Sequence, residues 1–311
     1  AISHRAAQVW FKMSGDVLSH FLSVCNHDYQ LEASVLSIDH SDELSAEQFA
    51  QLGGVIQRSI HLKKLSLDIL FVDGAHEVFA TLANAIELRK LLISDTWNTS
   101  VGPSHLGDLM AGQNGDGPLI RLLRNPQNHL KELTLRDMGM KDHHLIAVLQ
   151  RIRLKLIEHL DFSFNLIQLP GVLEFGNLFL KMKSLKKVHF GHNPWGDLSV
   201  DDRTTIGAAL VQGMMENMSI EILNGAERTP QAGLLCHYVT RNRAIRRVLQ
   251  LSQPIADGLW PLILARVGLN LRCLCRDLAA SDIEHYMSEE DVSANVIYYV
   301  LQTFPIMLSC R

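Results

Sequence analysis

The stretch "LIEHLDFSFNLIQLP", residues 156–170, spaces its apolar residues for neither an ordinary helix nor an ordinary strand. Ile157, Leu160, Phe162, Asn165 and Ile167 fall at offsets 0, 3, 5, 8 and 10, with His159 and Asp161 between them. Two readings compete: an isolated strand presenting a reactive His and Asp, or one member of a repeating structure whose polar positions face outward.

The same offsets recur along the chain, which favours the second reading. Leu130, Leu133 and Leu135 follow them, as do Leu185, Val188, Phe190 and Asn193, then Leu62, Leu65 and Leu67, and Leu88, Leu91 and Ile93. Weaker copies flank these at Ala33, Leu36 and Ile38 and at Asn217, Ile220 and Ile222. The fourth residue of each copy is 36, 65, 91, 133, 160, 188 and 220, so apart from one 42-residue interval the period is close to 28.

Over residues 33–225 this motif, LxxLxLxxN, resembles the leucine-rich-repeat family in its long-repeat, ribonuclease-inhibitor-like class. The resemblance implies an α/β solenoid, a curved horseshoe with parallel strands on the concave face and helices on the convex face. In that family the Asn side chain bonds backbone groups of neighbouring turns. Here Asn fills the position only at Asn165 and Asn193; Ser41, Leu70, Thr96, Met138 and Gly225 occupy it elsewhere. The resemblance therefore implies an incomplete Asn ladder.

The residues agree independently. Each copy is followed by a segment of helical periodicity: 45–60, 74–86, 141–152 and 200–215. Asp142 and Asp201 are expected to cap two of these helices. One strand and one helix cannot bury both apolar faces alone, whereas stacked units share a core. The long interval carries "WNTSVGPSHLGDLMAGQNGDGP", rich in Gly, Pro and Asn, and predicts an inserted loop near 97–118 projecting from the rim.

Three regions result: an N-terminal helical cap over 1–32, a solenoid of about seven repeats over 33–227, and a C-terminal helical cap or docking region over 228–311. "HRAAQVWFKM" and "DVLSHFLSVC" read as the first helices. The segment "YVTRNRAIRR … LWPLILARV … VIYYVLQTFP" is similar to one that follows the repeats in uncharacterised algal leucine-rich-repeat proteins, which brings no activity with it. Trp260, Tyr298 and Tyr299 are expected in the core of that region. If it docks on a partner instead, Arg243, Arg247, Trp260 and Tyr298 are the contact residues, within a cluster that includes Arg241 and Arg246.

Composition narrows function. Hydrophobic residues make up 47% and aromatics 6%, so the core is aliphatic. A net charge of −4 and a pI near 6.4 give no overall bias toward nucleic acid or anionic membrane. No apolar run reaches the ~20 residues that span a bilayer. Peripheral association with a membrane complex remains compatible with that. The five cysteines lack paired CxxC spacing and read as reduced thiols, which favours an intracellular compartment. The sequons at Asn98 and Asn217 argue weakly the other way. The chain begins at Ala1 rather than Met, so a processed or partial product, and hence an organelle, fits the sequence.

If the repeated phrase is a strand, its outward positions form columns. The central one reads Ser37, Ser66, Leu92, Thr134, Asp161, His189 and Glu221. Adjacent strands lie about 4.8 Å apart, which makes Asp161, His189 and Glu221 neighbours. A histidine between two carboxylates is expected to titrate high and to act as a pH-sensitive contact. At the strand starts Lys63, Lys64, Arg89, Lys90, Lys131, Lys186 and Lys187 form a basic edge, interrupted by Glu132, Glu158 and His159. Asp39, Asp68, Asp95 and Asp137 form an acidic one at the strand ends. Such edges orient a partner of complementary charge.

Catalysis lacks an evident nucleophile, since Ser163 lies two residues along from Asp161. No cofactor or metal site is expected. His143 and His144 are consecutive and should point to different sides, and His159, His189 and His192 offer no closed ligand set. "QNGDGP" lacks the lysine of a phosphate loop. The sequence therefore predicts a non-enzymatic protein-interaction scaffold, binding one or more proteins and no nucleic acid. The alternatives are a permanent subunit of a larger assembly and an enzyme regulator of the GTPase-activating or inhibitor type. The Ran GTPase-activating family shares this repeat class and uses an arginine, but no arginine here matches its motif.

Overall fold

A computed structural model describes residues 9–12, 20–22, 34–59, 61–70, 75–82, 85, 87–95, 106–112 and 115–249. Its backbone is organised by eight parallel strands: β1 (Val9–Lys12), β2 (Val35–Glu43), β3 (Lys64–Leu70), β4 (Lys90–Ser94), β5 (Glu132–Arg136), β6 (His159–Asp161), β7 (Lys187–His189) and β8 (Ile222–Asn224). They pair strictly in chain order. Parallel neighbours need a crossover, and most are helical. These are α1 (Ala46–Arg58), α2 (Ala75–Leu82), α3 (Leu106–Ala111), α4 (Pro118–Arg124), α5 (Asp142–Leu149), α6 (Leu169–Leu178) and α7 (Val200–Glu216), with α8 (Ala232–Leu249) following β8.

Alternation along each strand decides what is buried. Leu36, Leu65, Leu91, Leu133, Leu160 and Val188 form one buried row, and Ile38, Leu67, Ile93, Leu135, Phe162 and Phe190 the next. The helices answer with Phe49, Phe79, Leu122, Leu145, Val172, Phe175 and Leu210 in the same core. Each such buried side chain contributes about 1.5–3 kcal/mol.

The units are stitched at the strand starts. The carbonyls of Ser34, Lys63, Arg89, Lys131, Glu158 and Lys186 each accept two consecutive N–H groups from the next unit. Farther along, Asn165 and Asn193 reach into neighbouring turns. The Asn165 amide donates to Leu135, Phe162 and Ser163 carbonyls, and its oxygen accepts from Met138 and Met140 N–H.

Four expectations are corrected. The helix proposed across 4–13 is a strand over Val9–Lys12, with Val9 opposite Leu36 and Phe11 opposite Ile38. Ala6, Val9 and Phe11 already stand at offsets 0, 3 and 5, so part of the proposed cap region is a further strand of the sheet. The last copy is shifted by three residues: Leu223 pairs with Val188, so Ile220 takes the first position and Ile222 does not align with Phe190. Asn217, placed in that motif, is a buried cap whose oxygen accepts Ser219 and Ile220 N–H, which also closes its sequon to modification in the folded chain.

The insertion is not simply a projecting loop. Its described part holds α3, whose Leu106, Met110 and Ala111 are buried, and the Gly107 N–H donates to the Met138 carbonyl. The caps also differ. Ser199 caps α7, leaving Asp201 in the first turn. Asp142 caps α6 of the following unit through Gln168 and Gly171 N–H, since its own helix closes through His144 accepting from Lys141 N–H. Residues 250–311, with Trp260, Tyr298 and Tyr299, lie outside the described residues.

Candidate partner-binding site

The sheet face opposite the core carries two polar columns. One runs Lys64, Lys90, Glu132, His159 and Lys187. The other runs Ser37, Ser66, Leu92, Thr134, Asp161, His189 and Asn224. The structure thus brings Asp161 beside His189 as expected. Glu221 is not their neighbour, because the three-residue shift of β8 puts Asn224 there.

That shift changes the chemistry of His189. Its Nδ1 lies 2.9 Å from the Asn224 amide nitrogen. An amide nitrogen only donates, so Nδ1 accepts and the ring proton sits on Nε2. Burial pushes the pKa of His189 down, and the positive charges of Lys187 and Arg136 add to this against the opposing pull of Asp161. His159, whose ring centroid is 5.2 Å away, is lowered by burial and by His189. The expected carboxylate-raised switch is therefore overturned. An NMR titration is expected to place His189 below 6.5; the folded chain then binds fewer protons than the unfolded one just below that pH, so protonation weakens the fold. A measured value above 6.5 would restore the switch.

The basic edge is neutralised in part. Lys90 pairs with Glu132 at 2.6 Å and Lys131 with Glu158 at 2.9 Å, while Lys186 also bonds Glu158. Hydrogen bonds from Lys131 and Lys186 hold the Glu158 carboxyl at about 2. Lys63, Arg89 and Lys187 are exposed and make no ion pair among the described residues. The acidic edge is broken as well: Asp95 is buried, and the column after Asp39 and Asp68 continues with Ser94 and Arg136.

The arginines of α8 do not form a common patch. Arg241 is buried against the end of α7, Arg246 pairs with Glu221, and Arg243 donates to the Glu221 carbonyl. Arg247 lies within α8, its side chain outside the described residues.

A cleft of about 720 Å³ opens at the ends of β5 to β8, lined among others by Arg136, Asp161, Phe164, His189, His192 and Arg228. Phe164 and His192 occupy equivalent positions in successive units, one residue before Asn165 and Asn193, and both adopt the left-handed conformation, as does Asp137. Their rings stack at 4.1 Å with 13° between planes, and the Arg136 guanidinium lies 5.3 Å from the Phe164 ring. Arg136, Phe164 and Arg228 were not singled out from the sequence, Asp137 was placed on the acidic edge, and His192 was weighed only as a metal ligand. Continuing the alignment three positions past Thr134, Asp161 and His189 would have aligned Asp137, Phe164 and His192; Arg228 enters only through the true β8 register.

His143 and His144 do not diverge as expected; their rings lie 3.9 Å apart, near Asp108. His144 accepts from Lys141 N–H at Nδ1, so its Nε2 carries the proton and donates to Asp108 at 3.0 Å. Both nitrogens are engaged, which disfavours a metal there. No hydrogen bond joins Ser163 to His189 among the described residues; the Ser163 N–H instead donates to Asp161.

No family model matches the chain, and no curated protein matches it. Among solved structures it is similar to one titled Leiomodin-1 Actin-Binding Site 2 (ABS2), at 12% identity and a TM-score of 0.33, covering 76% of this chain and 96% of that one. A likeness of that extent carries no argument about function. No helix among the described residues is long and apolar enough to cross a membrane.

Proposed function

We propose that the chain is a leucine-rich-repeat solenoid of the long-repeat class and serves as a non-enzymatic scaffold for protein partners. The observation that carries this reading is the outer sheet face: eight parallel strands in sequence order, with no described element covering it. The double N–H bonds to each strand-start carbonyl and the buried Asn165 and Asn193 are what such a repeat requires. Ser37, Ser66 and Thr134 on that face are largely shielded although they point away from the core, as inward curvature would make them. A broad polar surface of this kind, with Lys63, Arg89 and Lys187 left exposed, suits recognition by shape and charge.

The test is cross-linking and affinity capture of the full chain beside a double variant, Leu92→Glu with Thr134→Arg, in the middle of the face. Partners cross-linked through Lys90 and Lys187 should fall at least about tenfold with the variant, the ~1.4 kcal/mol that a blocked contact of this size costs. Unchanged capture, or cross-links confined to the helical side, would overturn the reading.

A further inference from the structure

The cleft beyond the ends of β5 to β8 holds an imbalance of hydrogen-bonding groups. Arg136 and Arg228 both line it, and neither guanidinium donates a hydrogen bond within the described residues. The Nε of Arg136 is enclosed without an acceptor, 4.0 Å from Asp161 Oδ2. Each carboxylate of the cleft accepts one backbone N–H. Asp161 accepts the Ser163 N–H at 2.9 Å and Glu227 accepts the Gly225 N–H at 2.8 Å. Each guanidinium offers five donors in a planar fork that matches a carboxylate. Guanidinium donors that no group of the described chain takes up suit an anionic, acceptor-rich ligand.

The apolar side of the cleft points the same way. Phe164 has φ of 59°, a conformation that Asp137 and His192 share at the equivalent positions. Asp, Asn and His tolerate the left-handed region, whereas a bulky aromatic there costs about 1–2 kcal/mol. Of its surface 39% remains exposed to the cleft side. The ring is nevertheless fixed, stacked on His192 and beneath Arg136. Below it Trp195 is locked by its Nε1–H donating to the Ile167 carbonyl at 3.0 Å. Gly196 leaves room for Arg228, since a Cβ there would collide with its Nη1. The Phe164 and His192 rings and the Arg136 guanidinium are therefore placed before any ligand arrives, which lowers the cost of binding.

We propose that this cleft receives an acidic peptide segment of a protein partner, its carboxylate held by Arg136 and Arg228 and an adjoining aliphatic side chain laid on Phe164. The inference rests on the scaffold reading and narrows it to one anchor point. The volume suits one or two side chains rather than the flat surface of a folded domain. A phosphate dianion fits less well, because it brings twice the charge of a carboxylate beside Asp161 and Glu227.

The test is an amide-detected NMR titration of the full chain with the acetylated, amidated tetrapeptide Ala-Leu-Glu-Ala, its Gln analogue, and inorganic phosphate. The Glu peptide should shift His192, Gly225 and Arg228 and bind about tenfold more tightly than the Gln analogue, ~1.4 kcal/mol for the charged bond. Arg228→Ala should weaken the Glu peptide alone, while Phe164→Asn, which retains the backbone conformation, should weaken both peptides. Equal binding of the two peptides, or phosphate binding more tightly than either, would overturn the proposal. So would the absence of cleft shifts at about 10 mM peptide, well above a millimolar Kd. If the cleft fails while the Leu92 and Thr134 variant still loses its partners, only the anchor point is lost. Unchanged capture by that variant would remove the scaffold reading instead.

Discussion

Asn165→Ala is expected to destabilise the folded chain by about 3–5 kcal/mol, since each buried backbone group left without a partner costs ~1–3 kcal/mol. Asn165 is only 3% exposed, and its amide serves five backbone groups, from Leu135 and Met138 in one unit to Phe162 and Ser163 in its own. Water cannot replace it without opening the turn. Asn165→Asp should be worse than Ala. The carboxylate still accepts from Met138 and Met140 N–H, but a second oxygen then faces three carbonyls. Asn193→Ala should cost less, since Asn193 serves only the Ile167 N–H and the Phe162 and Phe190 carbonyls. The two asparagines share the Phe162 carbonyl, which only the double variant leaves without a side-chain donor, so their combined effect should exceed the sum. Urea unfolding followed by far-ultraviolet circular dichroism measures all of this. A loss below about 1 kcal/mol for Asn165→Ala would mean that the turn finds other partners.

The repeated core was legible in the sequence because burial imposes a spacing that chemistry can be read against. Leu65, Leu91, Leu133, Leu160 and Val188 had to point inward in register, and they do. The ends were legible only in part. At β1 the run Val9-Trp10-Phe11 suits a helix face as well as a strand, and only its neighbour β2 decides between them. At β8, Asn217, Ile220 and Ile222 satisfy the motif by accident, while the carbonyl of Lys186 accepts Glu221 and Ile222 N–H and fixes the register three residues later. That slip carried Glu221 to the wrong place and produced the charge switch at His189.

The cleft was harder still. Arg136 ends β5, while Phe164 and His192 belong to turns, where sequence spacing says little about direction, and their meeting depends on left-handed residues in successive units. Neutralisation of the basic edge was equally hidden. The lysines were visible, but their pairing across strands with Glu132 and Glu158 follows from register alone.

Arg241→Ala should cost a further class of stability, about 3–4 kcal/mol on the scale of ~1–3 kcal/mol per orphaned buried acceptor. Sequence placed Arg241 in an arginine cluster of a docking surface. In the fold it is 4% exposed and donates to the carbonyls of Met214, Met215 and Asn217. Two of these carbonyls lie in the last turn of α7, which has no intrahelical donors left and carries the negative end of the helix dipole. A guanidinium answers both needs at once. Asn242 extends the junction by donating to Asn217 and Ile220 carbonyls, and Asn217 in turn reaches the Phe179 and Met182 carbonyls. One buried network thus ties α8 to the two preceding units. Arg241→Lys retains the charge but not the fork, so it should recover no more than about half the loss. Arg243→Ala, at an exposed position, should stay within about 0.5–1 kcal/mol of wild type. Hydrogen exchange locates the damage: in Arg241→Ala, amides of α8 and of β8 should exchange first, ahead of β5 and β6. Uniform exchange across all strands would show instead that the network bears on the whole sheet. Because Asn224, Gly225 and Arg228 follow β8 and wall the cleft, the same substitution should blunt the peptide response there, although Arg241 touches no ligand.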